Sequence, residues 1–272
     1  MRANDIMHPD DAKALQVIKR MRGADKIIRK LMELVHEQNF RGENLGEMIS
    51  VNANNCPELY HSFMDVVRKV GIKAPELYLY NDPEMNAYTY GETNTFIALS
   101  SSLVERLEQH EVECIIAHEC GHILCQHTLY STLLMTLESI GVKFGIISEA
   151  ALKPITTALQ YWSRKSELSA DRCAAAIVGE RIFQTTLLKL TSGLTNIKGN
   201  PYQLVNQAHE YHRLMNESWL NRLQQYLRVA YNSHPQMCER AYEIDRWKRS
   251  WQYNRLRDEQ NARIFNNKSY CA

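Results

Sequence analysis

Apolar residues recur every three to four positions along most of this chain, and the pattern shortens to alternation only between about residues 48 and 99. The first stretch, Asp11 to Gln38, places Leu15, Ile18, Met21, Ile27, Ile28, Leu31 and Leu34 on one stripe. That spacing predicts an amphipathic helix or helix pair, broken near Gly23. The opposite side, with Lys19, Arg20, Arg22, Lys26, Arg29 and Lys30, reads as a solvated charged face. Strands are expected at Met48–Asn52 and Glu76–Tyr80, with a helix over Cys56–Val70 between them. Tyr88–Tyr90 and Thr95–Leu99 form a hairpin pattern around Gly91-Glu92-Thr93-Asn94. Two further helices are expected at Leu133–Ile147 and Ile155–Trp162. After Asp171 the pattern is helical throughout, with a loop at Lys198-Gly199-Asn200-Pro201. The pattern as a whole describes an α+β protein, mostly helical, with a small antiparallel or mixed sheet.

Candidate chemistry concentrates in His118-Glu119-Cys120-Gly121-His122, an H-E-x-x-H pattern inside an apolar helical run. Residues four apart share a helix face, so both imidazoles reach one ion. Two neutral histidines suit Zn²⁺, and Glu119 beside them is placed to act as general base on a zinc-activated water. A catalytic zinc needs a third protein ligand and an open position. Glu167, in the helical stretch Ser163–Ala174, supplies the carboxylate of a His₂Glu set. Asp171, one turn on, is suited to accept a hydrogen bond from the far nitrogen of a ligand histidine and so fix its tautomer. His127, five residues after His122, is expected to face elsewhere. Cys114 and Cys125 lie on the same stripe as the two histidines. Four ligands strung along one straight helix cannot converge on a tetrahedral ion, so these thiols read as core.

Glu167-Leu168-Ser169-Ala170-Asp171-Arg172 resembles the second motif of the HtpX-like and CAAX-prenyl-endopeptidase family of gluzincin metallopeptidases. The resemblance extends in order through Pro57-Glu58-Leu59-Tyr60, Val70-Gly71-Ile72 and Pro75-Glu76-Leu77-Tyr78. It continues through Asn86–Gly91, Thr95–Ser100, Leu103–His127 and Ser233-His234-Pro235 with Arg240, covering roughly residues 45 to 245. It implies a gluzincin-like domain with the sheet over the active-site helix, and one Zn²⁺ per chain held by His118, His122 and Glu167. It also implies an edge strand, either Thr95–Leu99 or Asn86–Tyr90, that takes an extended peptide by strand addition. By the same resemblance Asn86 and Ala87 lie at the cleft rim. His234 is the expected oxyanion donor. Arg240 is expected to orient His234, pair with a carboxylate, or contact substrate.

Length and composition narrow the setting. The 272 residues divide into an N-terminal helical extension (1–44), a peptidase domain (45–248) and a polar C-terminal tail (249–272). A formal net charge of +1 gives no field to recruit nucleic acid. Seven scattered cysteines suggest a reducing compartment, and a cytoplasmic location is expected. Members of the resembled family usually carry membrane-spanning helices. Here Glu138, Lys143, Glu149, Lys153 and Pro154 interrupt the stretch between the motifs, so no integral membrane segment is expected. The expected function is a soluble zinc endopeptidase acting on peptide or protein substrates. The alternative is a catalytically silent or latent peptide-binding or regulatory protein on the same fold.

Overall fold

The computed structural model describes residues 1–21, 37–91, 93–137, 149–197, 199–221 and 235–269. Helices α1 (Ala3–Ile6), α2 (Pro9–Arg20) and α3 (Glu37–Glu47) lead into strand β1 (Ile49–Ser50) and helix α4 (Pro57–Val70). Strands β2 (Glu76–Tyr80), β3 (Ala87–Tyr90) and β4 (Phe96–Ser100) complete the sheet. Then come α5 (Ser101–Arg106), α6 (Gln109–Leu124) and α7 (His127–Thr136), followed by α8 (Glu149–Val178) and α9 (Glu180–Ser192). The chain closes with α10 (Gln203–Glu217), α11 (Met237–Trp247) and α12 (Trp251–Ser269). Residues 22–36, the middle of the expected N-terminal helix pair, lie outside the described residues, as do 138–148.

The sheet is mixed, in the order β1-β2-β4-β3. β2 runs parallel to β4, with Tyr78 opposite Ala98, and β3 runs antiparallel to β4, with Thr89 opposite Ile97. β4 is therefore interior and β3 is an edge. Alternation sorts the side chains between two faces. Leu77, Ile97 and Leu99 join the main core with Phe63, Val66 and Val70 of α4 and Ile116, Ala117 and Cys120 of α6. Tyr78, Phe96 and Ala98 form a second, aromatic layer with Tyr80, Tyr88 and Tyr90. Each large side chain buried as completely as Phe63 contributes about 1.5–3 kcal/mol. α4 begins with Pro57 at its first turn and stops at Gly71, whose φ of 85° is a left-handed conformation that favours glycine.

The segment after α6 differs from the sequence expectation. The expected second helix, Ile155–Trp162, and the later carboxylate motif belong to one 30-residue helix, α8. Pro154 lies in its second turn, where the missing N–H costs a hydrogen bond without ending the helix. α7 starts at His127, six residues before the expected Leu133. The stretch read as a polar tail contains α12, anchored by the fully buried Leu256. Among the described residues no helix is long and apolar enough to cross a membrane.

Candidate metal centre

Helix α6 is buried on several sides, with Val112, Cys114, Ile116, Ala117 and Cys120 all in the core. An apolar helix of this kind belongs at the centre of a domain. Its N-terminus is fastened by Glu111, whose carboxylate accepts the Glu108 backbone N–H at 2.9 Å and the Lys189 ammonium at 2.8 Å. α8 crosses α6 closely at Gly121. A Cβ there would lie 2.7 Å from the Cys173 Cβ and 2.9 Å from the Ala170 Cα. This approach brings Glu167, on α8, up to the two histidines of α6.

Three donor atoms converge as a result. His118 Nε2 and His122 Nε2 are 3.2 Å apart. The Glu167 carboxylate lies 3.4 Å from His118 Nε2 and 3.2 Å from His122 Nε2. Donors about 2.0–2.1 Å from one tetrahedral ion are about 3.3 Å from each other, so the set fits zinc. Among the described residues it is the one group of histidine, cysteine and carboxylate side chains able to hold a metal. All three are buried, as is Glu119, which follows His118 on the helix.

The far side of His118 is equally ordered. Asp171 Oδ1 lies 3.0 Å from His118 Nδ1, and Arg240 grips Asp171 through two hydrogen bonds of 2.8 and 2.6 Å. Burial alone would lower the His118 pKa, but the Glu167 and Asp171 carboxylates hold it up, at about 10. Such a field stabilises positive charge, a bound dication included. Burial opposes ionisation of Asp171 as well, yet Arg240 keeps its carboxyl below the ordinary range. Arg240 is held on the protein side of this arrangement. Its guanidinium is buried and bound by Asp171, and its Nη1 lies 3.6 Å from Glu167 Oε2, so the cation helps to offset two desolvated carboxylates.

His127 also departs from expectation, since it faces the site rather than away from it. The helix ends at Cys125, and Gln126 takes a left-handed φ of 59° that reverses the chain into α7. The five-residue spacing therefore does not describe a continuous helix. His127 Nδ1 comes to 3.0 Å from His122 Nδ1, and its Nε2 donates to Asp11 Oδ2 at 3.0 Å. Asp11 also accepts from Trp162 Nε1 at 3.0 Å and from the Ser169 hydroxyl at 2.5 Å. Burial pushes the His127 imidazole below its ordinary pKa, with Asp11 opposing. Burial raises and these donors lower the Asp11 pKa, the donors prevailing. Sequence reasoning overlooked this cluster. The available signal was Asp11 itself, a carboxylate in register with Ala14 and Ile18 on the apolar stripe of α2.

Two of the remaining candidates, Asn86 and Ala87, lie where the edge strand begins. Asn86 is exposed, and its backbone pairs with Ser100 at 2.9 Å, just before the edge strand β3 where the half-buried Ala87 begins. Nearby Tyr80 is pushed up to about 12 by burial, the Tyr88 phenol and Asp82, with Glu119 adding to the effect. His234 lies outside the described residues. Cys114 is fully buried and its thiol is pushed up to about 12, as expected of a core thiol. Cys56, Cys114, Cys120, Cys125, Cys173 and Cys238 are all free thiols.

Comparison with known proteins gives the same region a context. The family model described as Peptidase family M48 matches residues 54–248. The chain is similar to the plastoglobule-localized metallopeptidase 48, chloroplastic, of Arabidopsis thaliana. The two are 29% identical over 262 residues, covering 93% of this chain and 75% of that protein. Among solved structures, the crystal structure of S. mikatae Ste24p matches with a TM-score of 0.45 and 18% identity. That match covers 73% of this chain and 52% of the other, so the chain spans about half the length of that protein.

Proposed function

The chain belongs to peptidase family M48, and on that premise we propose that it is a zinc-dependent endopeptidase acting on extended peptide segments. The observation that carries the reading is the convergence of His118, His122 and Glu167 within 3.2–3.4 Å, with Glu119 adjacent on the same helix. These three residues would hold the ion, which when bound supplies Lewis acidity toward a water and the scissile carbonyl.

The protein's own groups do the rest. Asp171, held by Arg240, accepts a hydrogen bond from His118 Nδ1–H and so leaves the Nε2 lone pair free for the ion. Glu119 takes a proton from the attacking water and returns it to the departing amine. The edge strand β3 pairs with the substrate backbone, with Asn86 and Ala87 at its start. His234 donates to the developing oxyanion. The free thiols among the described residues support a cytoplasmic setting.

The test is zinc content by elemental analysis together with cleavage of casein or a peptide library, for wild type and Glu119→Gln. One zinc in each and cleavage by wild type alone is the expected result. Zinc in both without cleavage by either would favour a silent or latent peptide-binding protein. Wild type without zinc would refute the metal centre.

A further inference from the structure

The N-terminal helix α2 lies before the matched residues 54–248, yet it reaches the centre of the molecule. Its start is fixed at three points. The His8 backbone N–H donates to the Ser169 hydroxyl at 2.8 Å, and His8 Nδ1 caps the helix by accepting from the Asp10 N–H at 3.1 Å. His8 Nε2 lies 3.2 Å from Glu243 on α11. Asp11, with none of its surface exposed, is thereby delivered beneath His127.

We infer that Asp11, acting through His127, is a positioning residue for the metal ligand His122, so that helix α2 is part of the metal centre. The direction of the hydrogen bonds decides this. A carboxylate only accepts, so His127 must carry its proton on Nε2, and its Nδ1 is then an acceptor. Among the described residues the group facing that acceptor is His122 Nδ1 at 3.0 Å, which must therefore carry a proton. His122 Nε2 is then left with a lone pair pointing at Glu167 and His118, as a ligand requires. Asp171 does the same for His118 without an intermediary. Trp162 and Ser169 hold Asp11 from α8, the helix that also bears Glu167 and Asp171, so both carboxylate supports refer to one rigid element.

The inference rests on the ligand role given to His122 above. It is tested on the full chain by competition with a chromophoric zinc chelator, alongside thermal unfolding of the metal-free protein. Asp11→Asn keeps the shape but presents an amide whose donor face drives the opposite tautomer. His127→Phe keeps a ring against Trp162, now 5.5 Å between centroids, and deletes both hydrogen bonds. Each variant is expected to bind zinc about 10–100-fold more weakly. The double variant should bind no more weakly than His127→Phe alone, because Asp11 acts on the ligand only through that ring. Should Asp11→Asn prove too unstable to purify, the affinity of His127→Phe decides by itself. Variants that melt lower but bind zinc within twofold of wild type would overturn the inference and leave the peptidase reading intact. A wild type that binds no zinc would overturn both.

Discussion

Replacing Arg240 by methionine isolates the support beneath His118. Arg240 is 7% exposed and Asp171 is 1% exposed, and two hydrogen bonds join them. Methionine fills much of the same volume, so the loss is chiefly of the cation. Removing one partner of a buried ion pair costs about 3–5 kcal/mol, because the other charge is left desolvated and uncompensated. For a chain of this size each kcal/mol moves Tm by about 2–4 °C, so the metal-free variant should melt roughly 6–20 °C lower. Asp171→Asn removes the stranded charge. The double variant should therefore be less destabilised than the sum of the singles, with a coupling of about 0.5–3 kcal/mol. Thermal unfolding followed by circular dichroism, in chelator, reads all four proteins. An Arg240→Met protein melting within about 2 °C of wild type, or strict additivity in the double variant, would refute the argument that Arg240 compensates Asp171.

Gly121→Ala should cost about 1–3 kcal/mol and weaken zinc binding, since its Cβ meets the Cys173 Cβ at 2.7 Å and must push α8, with Glu167, away from α6; unchanged denaturant midpoint and zinc affinity would contradict this. Deleting residues 1–21 should lower peptidase activity, because Asp11 leaves with them, and a rise in activity would instead mark the segment as an inhibitory plug. Burial opposes ionisation of Asp5, but Arg255 at 2.6 Å and Arg2 hold its carboxyl below the ordinary carboxylate range. A lowered folded pKa means stability present at neutral pH and lost as pH falls through that pKa. Asp5→Asn should therefore narrow the gap between urea midpoints measured at pH 7 and pH 3 in chelator, and an unchanged gap would count against the pair.

The sequence made the local chemistry legible because helical spacing alone places His118 beside His122 and Glu167 beside Asp171. Strand β2 was legible to the residue because Glu76–Tyr80 combines high strand propensity with a flanking proline. Two kinds of feature were hidden. The reversal at Gln126 depends on a left-handed residue that is not glycine, so nothing marks the end of α6 and the return of His127 to the site. Long-range partners were hidden as well. No spacing rule connects Asp11 to a histidine 116 positions later, or Arg240 to a carboxylate 69 positions earlier. The continuity of α8 through Pro154 was obscured because a proline inside an apolar pattern ordinarily reads as a boundary.

The parts of the metal centre are dispersed from Asp11 to Arg240, which has a consequence for the newly made polypeptide. Synthesis proceeds at about 5–20 residues per second, so on the order of tens of seconds separate the emergence of those two residues. Until residue 169 has been made, α2 has no buried place for its carboxylate, and until Arg240 follows, His118 lacks the anchored Asp171 beside it. The supports proposed for the two histidines are thus complete only once the stretch bearing Arg240 has been made.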